Sequence, residues 1–215
     1  MIVDNIEIMN LDGAIRGMRN PYDSWDKSDS LWNFPINKTN EVLGIGQKDM
    51  ELAQRLIKAG PEHAKFLRQI FVSMDIAAPL YWWSEMDTYK VGTTANSCST
   101  MHTLSKYPIV ENMFAFDETN DPCEINFRQN LLKHLEYLRE KYNETKDYDY
   151  FRKLKQDLPT SFIQKRTWTG NYANLRNIIS QRSSHRLKEW HEFIDVLKIF
   201  PYANNFLFYN LKETE

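Results

Sequence analysis

The sequence contains little of what marks several common functional classes. It has only 7 glycines among 215 residues, and it shows neither a Gly-rich phosphate loop nor a dinucleotide fingerprint. Its two cysteines, Cys98 and Cys123, form no CxxC or metal pattern and fit a reducing compartment better than a disulfide scaffold. With 27 basic and 29 acidic residues the formal net charge is -2, which excludes a general basic surface for duplex nucleic acid.

Long apolar runs are also missing, and none approaches the length that spans a membrane. The start, "MIVDNIEIMNLDG", lacks the basic-then-apolar layout of a signal peptide. We therefore expect a soluble cytoplasmic protein. Apolar residues make up 42% of the chain and aromatic residues 13%, which is enough for a real core or a large subunit interface. The length suits one domain over residues 1–215.

Apolar patterns predict an α+β chain with a small sheet, a long helical middle at about residues 121–157 and a helical C-terminal third. "IVDNIEIM" alternates loosely, as a first strand would. In "FLRQIFVSMDIAA" every second residue of Ile70–Ile76 is apolar, so these side chains share one face of a strand. Pro79 is expected in the first turn of a helix over "PLYWWSEM". The pair Asp121-Pro122, an N-cap followed by proline, begins the longest predicted helix.

Further helices are predicted over "GQKDMELAQRLIKAG", "DYDYFRKLKQD", "NYANLRNIISQR" and "HRLKEWHEFIDVLKIF". In the last of these, Trp190 and Phe193 belong to the inner face. "TSFIQKRTWTG" is predicted to be extended. The segment that follows Asn20-Pro21 is interpreted as a polar loop carrying Trp25 and Trp32.

A cluster of small polar residues is the first candidate site. The stretch "DTYKVGTTANSCSTMH", Asp87 to His102, contains almost nothing that fills a core. In a strand or loop its side chains offer neutral donors and acceptors, which suit a ligand with many polar edges, such as a nucleobase or a sugar. These side chains belong to Thr93, Thr94, Asn96, Ser97, Ser99 and Thr100. The alternative, favoured by composition alone, is a buried polar turn that satisfies its own backbone.

A second polar set lies in "NYANLRNIISQR". Asn171, Asn177 and Arg182 recur there at intervals of six and five residues. On one continuous helix these intervals spread the side chains widely around the axis, so a shared site would have to be reached from several sides. The alternative is helix capping by Asn171 and a solvated Arg182, which composition alone again favours.

The five histidines form no HExxH or other ligand pair, and no metal site is expected. His134 lies in the long predicted helix and is interpreted as structural. His63 precedes the predicted strand, and His102 ends the polar stretch. No Ser-His-Asp or Cys-His arrangement can be argued from the spacing.

Taken together, these segments resemble the flavin-dependent thymidylate synthases. "FVSMDIAAPLYWW" looks like the family's strand and Ala-Pro element, and "YKVGTTANSCSTMH" falls on its signature, Arg-His-Arg-x-x-Ser-x-Asn-Glu-x-Ser-x-Arg-Tyr. Asn96 and Ser99 match outright, and Thr94 takes the first Ser position. "LPTSFIQKRTWTGNYANLRNIISQR" carries the family's Leu-Pro, Trp-Thr, Asn, Asn and Arg at its spacing, and "PEH" places His63 at a flavin-side position. The resemblance covers residues 10–200 approximately.

The departures from the family pattern concern mainly its charged residues. The Arg-His-Arg triplet reads Tyr89-Lys90-Val91, the signature Glu is Ser97, its Arg-Tyr is Met101-His102, and the Arg of Asn-x-Arg is Ala173. One residue is inserted between Pro79 and Asn96. Each lost cation removes charge-assisted bonds of about 1.5–3 kcal/mol. The remaining cations, Lys90, Lys155 and Arg182, suffice for one monophosphate but look too few for a nucleotide and a flavin pyrophosphate together.

The resemblance implies a small antiparallel sheet flanked by helices, and a homotetramer with sites between subunits. It also implies binding of a dUMP-like pyrimidine nucleotide and of FAD. Ser99 and Arg182 would then be catalytic, and His63, Asn171 and Asn177 would line the flavin side. The implied substrate-binding residues are Lys90, Thr94, Asn96, Ser97, Ser99, Lys155 and Arg182. NADPH and methylenetetrahydrofolate are expected only if the family reaction, transfer of a one-carbon group to C5 of the base, is retained.

Two other functions remain open at this point. A non-catalytic member of the same fold would bind a nucleotide, to sense or sequester it, without flavin chemistry. A purely structural or interaction protein would use its many aromatic residues at a subunit interface. The presence of Asn171, Asn177 and Arg182 at the family's spacing argues against the structural reading, since a scaffold has no need of them.

Overall fold

The computed structural model describes residues 1–31 and 44–211. Its strands are β1 (Ile2–Met9), β2 (Phe71–Pro79), β3 (Thr94–Ser97) and β4 (Ile163–Asn171). Its α-helices are α1 (Leu11–Gly17), α2 (Gln47–Lys58), α3 (Leu80–Met86), α4 (Thr100–Thr103), α5 (Pro122–Thr145), α6 (Tyr148–Asp157), α7 (Tyr172–Arg182), α8 (Lys188–Leu197) and α9 (Ala203–Phe206). Trp32, assigned from the sequence to a polar loop, lies outside the described residues.

The strands form one antiparallel sheet in the order β1-β2-β4-β3. The predicted alternation of β2 is confirmed, because Ile70, Val72, Met74 and Ile76 are all fully buried. At the edge of the sheet, β3 is short and its four side chains are exposed, as is typical of edge strands that avoid further pairing. The predicted α+β fold class is confirmed.

Pro79 does not stand inside the helix that follows it. It is the last residue of β2, in an extended conformation with φ -67° and ψ 153°, and α3 begins at Leu80. The fixed φ of proline is compatible with the end of a strand and with the first turn of a helix, and here Pro79 belongs to the strand. The expectation of Pro79 in the first helical turn was therefore wrong by one residue.

The predicted long helical middle consists of two helices. The carboxylate of the N-cap Asp121 accepts from Cys123 N at 2.9 Å, as the Asp-Pro pair predicted. Helix α5 ends at Thr145, and Lys146 takes a left-handed conformation with φ 58°. Asp147 then caps α6 by accepting from Asp149 N at 2.9 Å. Helices α5 and α6 pack against each other.

The described residues form two compact units. Unit one comprises Met1–Ile2, Ile76–Thr88 and Asn96–Thr167, and unit two comprises Val3–Asp75, Tyr89–Ala95 and Trp168–Glu215. The core of unit one joins α5 and α6 to the segments around them, and consists of Leu104, Ile109, Phe114, Leu135, Leu138, Leu154 and Phe162. The expectation of one domain over the whole chain stays a prediction.

Unit two has an aromatic core. Its helix α7 packs on α8 and on a 3-10 helix at Lys65–Gln69, and α2 packs on α9. Trp190 and Phe193 of α8 are fully buried, which confirms the predicted inner face of that helix. Phe66 meets Phe206 edge-on, with ring centroids 5.5 Å apart. Within residues 1–31 and 44–211, no helix is both long and apolar enough to cross a bilayer.

Candidate functional site

A pocket of about 610 Å³ opens in unit two beside the N-terminal half of α7. Its apolar lining comes from α2 and the turn after it, through Ile57, Pro61, Ala64 and Leu67. Its polar lining comes mainly from Asn171, Asn174, Arg176 and Asn177, and Arg68, Val91 and Gly92 also line it. This volume lies in the range typical of small-molecule and cofactor sites.

The N-terminus of α7 is fixed by a reciprocal pair of asparagines. Asn171 Oδ1 accepts from Asn174 N at 3.0 Å, and Asn174 Oδ1 accepts from Asn171 N at 3.1 Å. This is a capping box, and it confirms the capping role predicted for Asn171. Asn174 Nδ2 also donates to Val91 O at 2.8 Å, which attaches the loop after Tyr89 to the helix.

Gly92 lies where this loop comes close to the cap. Its φ of +72° is in the left-handed region that favours glycine, and a Cβ there would lie 3.6 Å from Asn171 Nδ2. At Gly92 the pocket is therefore lined by backbone alone, close to the side-chain amide of Asn171.

Replacing Asn171 with alanine should lower the free energy of unfolding by about 0.5–2 kcal/mol, because one backbone donor of α7 loses its acceptor. Asn171→Asp should stay close to the wild type, since a carboxylate also caps a helix and complements its dipole. Urea unfolding at neutral pH measures both variants. An unchanged Asn171→Ala would show that the capping box contributes no stability.

Arg182 lies at the other end of α7, in an aromatic setting. Its Nε donates to the Tyr89 hydroxyl at 2.9 Å, and that hydroxyl donates to Gln181 Oε1 at 3.0 Å. Its guanidinium also stacks on the Trp190 ring, with 5.0 Å from Cζ to the ring centroid. Arg182 is half-buried rather than fully solvated, and among the described residues it does not line the pocket.

Arg176 and Arg68 supply the positive charge of the pocket. Arg176 is half-buried, and its Nη1 donates to Phe206 O at 3.0 Å and to Leu207 O at 3.1 Å, which caps the end of α9. Desolvation lowers the pKa of Arg176 from its ordinary value. Arg68 is exposed, and it forms no hydrogen bond or ion pair with the described residues.

The unit-one residues that the sequence predicted for a nucleotide lie around the start of α4. Lys155 of α6 donates a short hydrogen bond to Thr100 Oγ1, and burial lowers the pKa of the Lys155 ammonium. Cys98 N donates to Lys165 O at 2.8 Å, and Gln164 Nε2 donates to Cys98 O at 2.8 Å. The backbone just before Ser99 is thus attached to β4.

The polar stretch faces solvent instead of forming a buried turn. Thr94, Asn96 and Ser97 are exposed in β3, and Ser99 is half-buried. The alternative of a buried, self-satisfied polar turn is therefore wrong for these side chains. An exposed edge strand leaves them accessible to a ligand.

The structure groups some of the predicted site residues and not others. Asn171 and Asn177 line one pocket, whereas His63 is exposed and only its neighbours Pro61 and Ala64 line it. Lys90 is exposed on the loop of unit two, and Lys155 and Ser99 belong to unit one. In residues 1–31 and 44–211, no group of three or more His, Cys, Asp or Glu is placed to hold a metal ion.

Asn174 and Arg68 are among the pocket residues that sequence reasoning missed. Asn174 had a usable signal, because an asparagine three residues after an N-cap asparagine can complete a capping box. Arg68 had none. It lies 103 positions before Asn171 in the chain, and only the fold brings both to one pocket.

The chain has the fold of the flavin-dependent thymidylate synthases, as its likeness to two solved structures shows. One solved structure of this fold is the flavin-dependent thymidylate synthase ThyX from Helicobacter pylori complexed with FAD and dUMP. It is 21% identical, with a TM-score of 0.71 over 98% of this chain and 99% of that chain. A second, thymidylate synthase X from Helicobacter pylori with FAD and dUMP, is 20% identical, with a TM-score of 0.74 over 100% of both chains.

At this level of identity the likeness establishes the fold and no further property. No protein-family model matches the sequence, and no curated protein sequence matches it significantly. The resemblance in fold expected from the sequence is confirmed.

Proposed function

We propose that this protein binds a dUMP-like pyrimidine nucleotide together with a flavin, and that it modifies C5 of the base. The observation that carries the proposal is the likeness of the whole chain to two structures that hold FAD and dUMP. The pocket of unit two supports it, because Asn171 and Asn177, proposed for the flavin side, both line that pocket. Ser99 and Arg182 are proposed as the catalytic residues.

The pocket residues fit a flavin. Leu67 and Ile57 offer an apolar surface for fused rings, and the side-chain amides of Asn171 and Asn177 offer donors to ring carbonyls. A bound flavin would supply the redox chemistry that these side chains lack. The chain's own contribution is to orient the ring system and to exclude water from one of its faces.

The nucleotide side is proposed around Lys155 and Ser99, with Thr94, Asn96, Ser97, Lys90 and Arg182 as further contacts. Within the described residues Lys155 forms no ion pair, and its ammonium donates to the neutral hydroxyl of Thr100. A phosphate oxygen would give this partly desolvated cation the anionic partner that it lacks.

Lys155→Met should lower the affinity for dUMP by about tenfold to a hundredfold, because one charge-assisted bond of about 1.5–3 kcal/mol is lost. The free energy of unfolding should stay equal or rise, since burial disfavours the charged form of Lys155 and lowers its pKa. Calorimetric titration with dUMP and urea unfolding measure the two effects. Lys106→Met, at an exposed lysine of the same unit, is the matched control. Equal dUMP affinity in both variants would remove Lys155 from the site.

The absorbance spectrum of the purified protein tests the flavin. We expect a yellow protein with a visible band, or a colourless one that FAD stabilises against heat. A colourless protein without an FAD-induced thermal shift would overturn the flavin part of the proposal. The thermal shift given by dUMP should shrink in Arg182→Ala, and equal shifts in both proteins would remove Arg182 from the nucleotide site.

A non-catalytic nucleotide-binding role is the second candidate, and one contact favours it. Arg182 is already engaged by the Tyr89 hydroxyl and the Trp190 ring, so its guanidinium is not wholly available to a reacting nucleotide. Tyr89 stands where the family signature has an arginine. A protein that binds dUMP but neither binds FAD nor changes the base would establish this second function.

The assembly and the co-substrates belong to the same proposal. A homotetramer with sites between subunits would let different chains approach α7 at Asn171 and at Arg182. Light scattering of the purified protein measures the mass directly, and a monomer would contradict this assembly. NADPH and methylenetetrahydrofolate enter only with the full thymidylate reaction, and a cytoplasmic location is proposed with them.

A further inference from the structure

A smaller pocket, of about 300 Å³, lies in unit two beside the last turn of α1. The described residues that line it are Arg16, Arg19, Trp25 and Ser28, and none of them lines the pocket beside α7. Two of the four are arginines, and no Asp or Glu is among them. An arginine side chain carries N–H donors and no acceptor, so this lining favours a ligand with acceptor atoms.

Arg19 is a buried arginine with a donor group left over. Its side chain is 7% exposed, its Nε donates to Asp49 Oδ1 at 2.6 Å, and its Nη1 lies 3.5 Å from Ser24 O. No described residue accepts a hydrogen bond from its Nη2. A buried donor without an acceptor costs free energy, and a ligand oxygen in the pocket would supply that acceptor.

Arg16 adds a second guanidinium, and it lacks a counterion. It is exposed, and no described residue forms a hydrogen bond or an ion pair with it. Asp49 cannot serve both arginines, because Arg19 already occupies its Oδ1. The hydroxyls of Ser28 and Ser30 donate to its Oδ2, each at 2.5 Å. The two arginines therefore carry more positive charge than this carboxylate balances, and an oxyanion would form charge-assisted bonds with them.

The other acidic residues of this stretch do not occupy the pocket. Asp29 accepts from the backbone N–H groups of Lys48 at 2.9 Å and of Asp49 at 3.2 Å, which satisfies free donors at the start of α2. Asp23 and Asp26 are exposed, and neither lines the pocket. Salt and solvent screen exposed charges, so these carboxylates weaken the attraction of an anion without filling its place.

Trp25 gives the same pocket an aromatic surface. Its Nε1 donates to Asn20 Oδ1 at 2.8 Å, which holds the indole in place, and its ring is otherwise largely exposed. Aromatic side chains stack on flat rings, and the indole offers such a surface within the pocket that the two arginines line. The lining thus combines donors for an oxyanion with a stacking surface for a ring.

We propose that this pocket binds a small aromatic ligand through its terminal oxyanion, a phosphate or a carboxylate. Arg16 and Nη2 of Arg19 donate to the oxyanion, and the ring of the ligand lies against Trp25. The proposal does not depend on the proposed nucleotide and flavin function, because none of the residues proposed for that function takes part in it.

Protection of Arg16 from the arginine reagent phenylglyoxal tests the proposal at the site itself. Peptide mass spectrometry measures the modification of each arginine at constant ionic strength, with chloride, phosphate, phenyl phosphate or benzoate present. We expect phosphate to slow the modification of Arg16 about tenfold relative to chloride. Arg55, an exposed arginine of α2 that does not line the pocket, is the matched control and should change by about twofold or less.

The two aromatic probes identify the oxyanion. Phenyl phosphate or benzoate should protect Arg16 at a concentration about tenfold lower than phosphate requires, because the ring adds its contact with Trp25. The probe that protects at the lower concentration shows whether the ligand carries a phosphate or a carboxylate. Trp25→Ala should remove the advantage of the aromatic probes and keep the protection by phosphate.

A variant of the nucleotide side separates the two proposals. Lys155→Met, in unit one, should leave the protection of Arg16 unchanged, whatever it does to the affinity for dUMP. Loss of the protection in Lys155→Met would assign the anion to the nucleotide side and overturn the inference. Equal protection of Arg16 and Arg55 by every anion would mean that salt screening alone acts. Aromatic probes no better than phosphate in the wild type would contradict the role of Trp25 and overturn the inference as well.

Discussion

Asp49→Ala should lower the free energy of unfolding by about 3–5 kcal/mol, since it leaves the buried Arg19 charge without its counterion. Asp49 of α2 is fully buried, and Arg19 is 6% exposed. Arg19 Nε lies 2.6 Å from Asp49 Oδ1. The hydroxyls of Ser28 and Ser30 each donate to Asp49 Oδ2 at 2.5 Å. The carboxylate thus joins the segment before residue 31 to α2.

The same network makes the free energy of unfolding depend on pH in the acidic range. Burial alone would raise the pKa of Asp49, but the hydrogen bonds from Ser28, Ser30 and Arg19 outweigh it and lower the pKa below its ordinary 3.8. Because the pKa of Asp49 is lower in the folded than in the unfolded state, its ionised carboxylate stabilises the fold. This stabilisation is complete at pH values above the unfolded-state pKa, and it is lost as the pH falls through the folded-state pKa. Urea unfolding at pH 7 and at pH 3 should therefore show a smaller difference between wild type and Asp49→Ala at the lower pH.

Two further variants separate the ion pair from the helix that carries it. Glu51→Gln, on the exposed side of α2, should change the free energy of unfolding by about 0.5 kcal/mol or less. The double change of Arg19→Met with Asp49→Leu should recover much of the stability that Asp49→Ala loses, because both buried charges are gone. A double variant as unstable as the single one would mean that packing, and not the unpaired charge, explains the loss.

Trp190→Ala should also cost about 3–5 kcal/mol, the range for deleting a large buried aromatic side chain. Trp190 is fully buried in α8, and its ring meets Phe193 and Tyr89 edge-on at 6.2 and 6.3 Å between centroids. It also carries the stacked guanidinium of Arg182. The variant would leave a cavity and release the arginine at once, so thermal or urea unfolding should show a large loss.

Trp25→Ala provides the comparison for a tryptophan outside the core. Trp25 is 52% exposed and donates to Asn20 Oδ1 at 2.8 Å, so its removal should cost about 0.5 kcal/mol. Trp190→Phe should fall between the two, because a smaller ring still fills part of the space. If Trp190→Ala and Trp25→Ala were equally stable, the ring contacts of Trp190 would have no energetic weight.

Local structure was predictable wherever neighbouring residues in the chain determine it. The alternation of β2, the Asp121 cap and the inner face of α8 each depend on periods of two or about 3.6 residues, which the sequence displays directly. Lys146 was not anticipated as the break between α5 and α6, because a left-handed lysine has no reliable signal in composition.

The candidate site was predictable only in part. Asn171 and Asn177 were singled out through resemblance and line one pocket, while Arg68 and Asn174 were not. Arg182 was expected to be either a phosphate ligand or a solvated side chain, and the fold packs it between Tyr89 and Trp190. This packing joins Arg182 to Tyr89, which is 93 positions away in the chain, so no local sequence pattern could predict it.

The sequence by itself determined most of the longer helices, the strands β1, β2 and β4, the fold class and the small polar character of the stretch from Asp87 to His102. Only the tertiary structure decided that this stretch faces solvent, that Asp49 is buried against Arg19, and that Arg68 and the asparagines of α7 line one pocket. The physical reason is that backbone periodicity and capping act over a few residues. Burial, ion pairing and the direction of an amide depend instead on partners that folding brings from distant parts of the chain.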